Sequence, residues 1–60
     1  MKELGQKIYD IRKKKGLSQQ YVADKMGVNI KTVRDLELGK TTVLRAKTLG
    51  KVEKFINYYG

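Results

Sequence analysis

Residues 19–38, with the sequence QQYVADKMGVNIKTVRDLEL, decide the fold of this 60-residue chain. Apolar residues recur at helical spacing on both sides of Gly27, and glycine is the residue that most readily ends a helix. Ser18 and Asn29 precede the two patterns, and both residue types are good N-terminal caps. The stretch therefore predicts two short amphipathic helices, one between Ser18 and Gly27 and one over about 30–38.

The flanking segments predict two more helices. An apolar stripe runs through residues 2–15 and stops at Gly16, and a second stripe predicts a helix from about 44 or 45 to 58. Residues 41–43 are two threonines and a valine. Because all three are β-branched, this segment could form a short extended piece instead of a loop. We expect an all-α fold, a compact bundle of four to five short helices forming a single domain over residues 1–60.

Composition limits the function. Fourteen Lys and Arg against six Asp and Glu give a net charge of +8, which favours a polyanionic partner, most commonly nucleic acid. Cys and His are absent and the carboxylates are scattered, so we expect no catalytic residues, no metal and no cofactor. No apolar run approaches the roughly 20 residues of a membrane span, so we expect a cytoplasmic protein with no membrane partner.

Residues 16–40, GLSQQYVADKMGVNIKTVRDLELGK, follow the pattern GLSQ-xx-[LV]A-xx-[LMV]GV-xxxT[IV]-xx-[IL]E-xGK almost throughout. Residues 4–40 therefore resemble the phage-repressor class of helix-turn-helix domains, the Cro/C1-type or XRE-like family. The resemblance implies a lambda-repressor-like DNA-binding domain with its helix-turn-helix core at residues 18–38. It also implies a transcriptional regulator, a repressor in our interpretation, that binds double-stranded DNA as a homodimer on a palindromic operator.

The last third of the chain departs from that pattern. Residues 40–57 resemble antitoxin-type regulators, but Gly50 and Glu53 replace apolar positions. Because the sequence ends at Gly60, we expect the fifth helix that many relatives use for dimerisation to be absent or reduced. The alternative function is a protein-interaction module, such as an antitoxin that binds a toxin as well as DNA. Single-strand binding needs exposed aromatics on a basic face, and most aromatics here lie at the C-terminus.

The third predicted helix carries the candidate base readers. At about 100° per residue, Lys31 and Asp35 lie opposite the core, and Thr32 and Arg34 flank them. The resemblance places this helix in the major groove and makes Lys31 and Asp35 base readers, since Lys donates to guanine and Asp accepts from cytosine. Thr32 and Arg34 can reach phosphates or flanking bases, and an ordinary solvated face is the alternative for both. We favour base reading for Lys31 over a solvent-facing ion pair and leave both open for Asp35. For Ile30, core packing and contact with a thymine methyl are equally supported.

The resemblance also implies contacts to the phosphate backbone. Gln19 begins the second helix, where backbone amides favour anions, and Gln20 is exposed beside it. Lys40 follows the glycine that ends the third helix and matches the phosphate-binding Lys of the family. Arg45 and Lys47 are further candidates for the backbone or minor groove.

Two charged residues fall on apolar faces. Arg12 lies on the inward stripe of the first helix and Glu37 on that of the third, and a lone buried charge costs several kcal/mol. We therefore expect Arg12 and Glu37 to form one structural ion pair, which the resemblance also implies.

An aromatic cluster near the C-terminus is the candidate dimer interface. It contains Phe55, Tyr58 and Tyr59. Tyr58 points off the apolar stripe, so we expect it and part of the cluster to contact a second copy. Intramolecular packing is the alternative for Phe55 and Tyr59.

Overall fold

The computed structural model describes residues 2–40 and 45–60. Over these residues the chain is all-α, which confirms the predicted fold class. Helices α1 and α2 each pack against both α3 and α4. The four helices are α1 (Lys2–Lys15), α2 (Gln19–Met26), α3 (Ile30–Leu38) and α4 (Ala46–Tyr59).

The first three helices have the predicted bounds, whereas α4 begins and ends one residue later than expected. Arg45 has φ −64° and ψ 149°, so it is the N-cap of α4 and not its first residue. Tyr59 continues the helix, and the Gly60 N–H donates to the Ile56 carbonyl at 2.7 Å. The extended piece considered at 41–43, and a start of α4 at Leu44, lie outside the described residues.

The tight turn between α2 and α3 depends on Gly27. Its φ of 71° is in the left-handed region that side chains disfavour. The Gly27 N–H donates to the Asp24 carbonyl at 3.2 Å, and the Val28 N–H donates to the Ala23 carbonyl at 3.0 Å. This is the Schellman arrangement, and half-buried Val28 packs against the core as the motif favours. The turn therefore fixes where α3 begins relative to α2.

All four helices contribute apolar side chains to one core. Val33 and Leu36 anchor α3 in it, with 0% and 1% of their surface exposed. No buried polar or charged residue interrupts the core within 2–40 and 45–60. In the same ranges, no helix is long and apolar enough to cross a membrane, and no group of side chains is suited to hold a metal ion. The buried hydrophobic residues are Ile8, Ile11, Val22, Ala23, Met26, Val33, Leu36, Val52 and Phe55.

Gly5 sets how closely α1 approaches α3. A Cβ atom added at Gly5 would lie 1.7 Å from the Leu36 carbonyl oxygen, far inside contact distance. Only glycine permits this approach without moving one helix backbone away from the other. The helical pattern of residues 2–15 does not by itself predict this role of Gly5, although a glycine inside an apolar helical stripe can indicate close packing.

Candidate nucleic-acid interface

A paired charge fixes the C-terminal half of α3. The Arg12 Nε donates to the Glu37 Oε2 at 2.8 Å, and the Arg12 Nη2 donates to the Glu37 Oε1 at 2.9 Å. The Arg12 Nη1 donates to the Leu17 carbonyl at 3.3 Å, and the guanidinium lies 5.6 Å from the Tyr9 ring centroid. The hydrogen bond with Glu37 raises the pKa of Arg12 above its ordinary value. The expected ion pair is therefore present, and it joins α1 to α3.

Gln19 takes part in the same cluster. Its Nε2 donates to the Glu37 Oε1 at 3.2 Å, and its side chain is half-buried. An amide group carries two N–H donors, so one remains for a phosphate oxygen. From the sequence, a phosphate contact was the one role predicted for Gln19. Its bond to Glu37 depends on how α2 and α3 meet in space, which helical periodicity does not reveal.

The outer face of α3 carries two exposed cations. Lys31 and Arg34 are exposed, while the intervening Val33 is completely buried. Thr32 and Asp35 are half-buried, so Asp35 is less exposed than its position opposite the core predicts. The Asn29 Oδ1 accepts from the Lys31 N–H at 2.8 Å and caps the helix. An α-helix with such a face fits the major groove of B-DNA, which is about 12 Å wide.

Ile30 contributes to packing at the start of α3. It is half-buried and contacts the core cluster, as the packing alternative predicts. The part of its side chain that stays exposed lies in the first turn of the helix, next to Lys31.

Lys40 is held directly after α3 by a second Schellman turn. Gly39 has φ 73°, its N–H donates to the Leu36 carbonyl at 3.1 Å, and the Lys40 N–H donates to the Asp35 carbonyl at 2.9 Å. The equivalent position after α2 holds Val28, which packs against the core. After α3, the equivalent residue is Lys40, an exposed cation. The backbone of Lys40 is thus fixed while its ammonium group stays in solvent.

Comparison with known protein families identifies the family to which this arrangement of helices belongs. A family model described as Helix-turn-helix matches residues 8–59, which is most of the chain. The chain belongs to this helix-turn-helix family. No curated protein and no solved structure matched it. As a member of the Cro/C1-type helix-turn-helix family, the chain is a DNA-binding transcription regulator, and the family is not typically enzymatic.

The remaining phosphate candidates of this helix-turn-helix protein lie on two helix starts. Gln20 is exposed in the first turn of α2, and its Nε2 donates to the Asp24 Oδ1 at 2.9 Å. Arg45 and Lys47 are exposed at the start of α4. The Ser18 Oγ accepts from the Tyr21 N–H at 3.0 Å, so the cap uses one of the unpaired amides at the start of α2. The other amides of that turn can face an anion.

The aromatic cluster at the end of α4 is mostly internal. Phe55 is buried, and its ring centroid lies 4.6 Å from that of Tyr59. Tyr59 is half-buried, whereas Tyr58 is 81% exposed and packs edge-on against Tyr59. For Phe55, the alternative of packing within its own chain is therefore the one observed. Tyr58 is the member of the cluster that is free to touch another molecule.

Proposed function

We propose that this helix-turn-helix protein is a sequence-specific repressor that reads the major groove with α3 as a homodimer on a palindromic operator. The observation that carries the proposal is the division of α3 into two faces. Val33 and Leu36 hold one face in the core, and Lys31 and Arg34 project from the other. A helix fixed in this way presents its donors to base edges with little freedom to reorient.

In this proposal, Lys31 and Arg34 are the principal base readers. Lys and Arg donate to guanine O6 and N7, and each good contact contributes about 1–3 kcal/mol of discrimination. Ile30, Thr32 and Asp35 are partly buried and contact flanking bases at the edge of the same surface.

Phosphate contacts set the register on the duplex. Lys40 contributes a cation from a fixed backbone position at the end of α3, and Gln19 and Gln20 present amide donors at the start of α2. Arg45 and Lys47 extend the basic surface at the start of α4. Such contacts position a protein without selecting a sequence.

Dimerisation is assigned to the exposed aromatic at the end of α4. Tyr58 carries the contact, because an 81% exposed tyrosine has a large apolar area to bury. Half-buried Tyr59 packs against the Tyr58 ring on its inner side. Phe55 contributes indirectly, because its ring packs against that of Tyr59. Light scattering of the protein and of Tyr58→Ala at high concentration tests this: the native chain dimerises and the variant stays monomeric. A toxin partner stays a prediction from the sequence alone.

The test of operator recognition starts from selection of duplexes out of a random library at near-physiological salt. Affinity for the best duplex and for scrambled DNA is then measured by fluorescence anisotropy. We expect an inverted repeat, with half-sites about one helical turn apart, bound at least a thousandfold more tightly than scrambled DNA.

Two alanine substitutions separate base reading from phosphate contact. Lys31→Ala weakens the selected duplex by about 1–3 kcal/mol and relaxes preference at one base pair, because it removes a donor to a base edge. Lys40→Ala weakens every duplex alike and lowers the salt slope by about 1. Lys14→Ala is the matched control, since it removes the same charge from an exposed end of α1. Equal losses on all sequences for Lys31→Ala and Lys40→Ala contradict the assignment.

A further inference from the structure

A second basic surface lies between α2 and α4. A pocket of about 400 Å³ opens there, and none of the residues that line it belongs to α3. Its walls are the last turn of α2 and the C-terminal half of α4. The lining residues are Lys25, Met26, Lys51, Lys54, Phe55, Tyr58 and Tyr59.

The floor of this lysine pocket is apolar. Met26 and Phe55 are each 5% exposed, and Tyr59 is half-buried beside them. Tyr58 stands at the rim with 81% of its surface exposed. A single inserted apolar or aromatic side chain would cover the floor and bury part of the Tyr58 ring. Buried apolar area of this kind contributes about 25 cal/mol per Å².

Three ammonium groups surround the floor. Lys25, Lys51 and Lys54 contribute them, and no carboxylate lines the pocket. Within residues 2–40 and 45–60, the one ion pair is that of Arg12 and Glu37, so the carboxylates described there leave these lysines uncompensated. Three positive charges on the walls of one pocket favour binding of an anion.

Lys51 is the best-placed of the three. Its Nζ donates to the Gly27 carbonyl at 3.2 Å, which holds the ammonium group at the pocket edge. An ammonium group has three donors, so two remain for a carboxylate. This hydrogen bond favours one position of the cation before a ligand arrives, which reduces the entropy lost on binding.

We infer that the lysine pocket binds an acidic segment of a partner protein, one that inserts an apolar or aromatic side chain flanked by Asp or Glu. The inserted side chain rests on Met26 and Phe55, and the flanking carboxylates accept from Lys51 and Lys54. This inference does not rest on base reading by α3, because no residue of α3 lines the pocket. The pocket shares Tyr58 and Tyr59 with the proposed dimer contact, so a bound acidic segment would compete with dimerisation for the Tyr58 ring.

Two other occupants fit the pocket less well. A single-stranded nucleic acid needs successive aromatic platforms along a groove, and among the residues that line this pocket Tyr58 is the one aromatic residue that is mostly exposed. A second copy that contacts the exposed face of Tyr58, as proposed for the dimer, would touch the rim but not fill the pocket, because an isologous contact centred on the pocket would bring the same three lysines of two chains of net charge +8 together across the two-fold axis. An acidic segment matches both the charge and the apolar floor.

The experiment titrates ¹⁵N-labelled protein with a short probe peptide that has one Phe between two pairs of Glu. A second peptide with Gly in place of Phe has the same charge. We expect amide shifts concentrated at Met26, Phe55 and Tyr58, and affinity about tenfold lower for the Gly peptide, because it cannot cover the floor. Failure here leaves the duplex selection experiment untouched.

Charge-removing variants assign the carboxylate contacts. Lys54→Gln and Lys51→Gln each weaken the Phe peptide about threefold or more, whereas Lys14→Gln, which removes the same charge from α1, has little effect. Equal losses for Lys14→Gln and Lys54→Gln overturn the inference, as does equal binding of the two peptides. A thymidine oligonucleotide that binds the same residues more tightly than the peptide overturns it in favour of nucleic acid. If the amide shifts at these residues change when the protein alone is diluted, and do not respond to peptide, the inference is overturned in favour of self-association.

Discussion

Gly5 and Gly50 both lie inside helices, yet their surroundings are opposite. A Cβ at Gly5 would meet the Leu36 carbonyl oxygen at 1.7 Å, whereas a Cβ at Gly50 would meet nothing within 4 Å. The contact of α1 with α3 therefore allows no additional atom, and the outer side of α4 is not constrained by packing. The proposed reading helix is fixed by contact on its inner side, while α4 has surface available for partners.

Helix α3 also makes more polar contacts with its neighbours than α4 does. Glu37 of α3 receives three hydrogen bonds, two from Arg12 and one from Gln19. Lys51 of α4 makes one side-chain bond to the Gly27 carbonyl. The Asn29 side chain caps α3, but Arg45 forms no side-chain cap for α4. Helix α3 is thus tied to both α1 and α2, and α4 has fewer polar ties.

The largest expected effect is that of Gly5→Ala. Alanine gains about 1 kcal/mol of helix propensity over glycine, but the overlap with backbone oxygen forces α1 and α3 apart. Overpacking usually costs about 1–3 kcal/mol, but an overlap this deep with backbone atoms should cost about 4 kcal/mol, so after the gain in helix propensity we expect a net loss of about 3 kcal/mol in the free energy of unfolding. Urea denaturation followed by circular dichroism measures it. A variant as stable as the native chain would show that the helices separate at little cost.

Glu37→Gln tests the polar side of the same contact. The Glu37 side chain is 6% exposed and that of Arg12 is 13% exposed, so the substitution leaves a largely buried guanidinium without its anion. We expect a loss of about 3 kcal/mol in the free energy of unfolding. The matched control is Glu53→Gln, which alters an exposed carboxylate of α4 and should stay within about 0.5 kcal/mol. Similar losses for both variants would refute a specific role for the pair.

Local sequence rules were sufficient for most of the fold. The cap residues Ser18 and Asn29 and the glycines at 27 and 39 mark the helix ends, and each works through bonds within a few residues. The ion pair was predictable because burial of either charge alone is costly. The start of α4 was placed slightly early, because Arg45 has neither the side-chain chemistry nor the apolar position that marks a cap.

Contacts between helices were beyond those rules. The role of Gly5 depends on α3 crossing α1 at that level, and the bond from Gln19 to Glu37 depends on α2 meeting α3. The lysine pocket joins Lys25 to Lys51 and Lys54, which are distant in sequence. Periodicity assigns a residue to a face of its own helix, but it does not tell which other helix that face meets.

Gly50→Ala tests the open side of α4. The new methyl group has room, and α4 gains helix propensity at an exposed position. We expect the free energy of unfolding to rise by about 0.5–1 kcal/mol, a change opposite in sign to that of Gly5→Ala. The same urea measurement compares both. A loss of stability would show that this side of α4 is packed after all.

The smallest effect concerns the contact between α2 and the end of α4, where Tyr59 meets Tyr21. Hydrogen bonding to Tyr21, followed by desolvation, raises the pKa of Tyr59 above its ordinary value of 10.0. The neutral phenol is therefore favoured in the folded state, and its contribution to stability is complete below pH 10 and lost as the pH rises through the raised pKa. In Tyr21→Phe the pKa of Tyr59 should fall back toward its ordinary value, as followed by the ¹³C shift of the Tyr59 ring. Tyr9→Phe, which alters a tyrosine of α1, is the matched control. If Tyr21→Phe leaves the titration of Tyr59 unchanged, Tyr21 is not the cause of the raised pKa, and burial and neighbouring Tyr58 account for it.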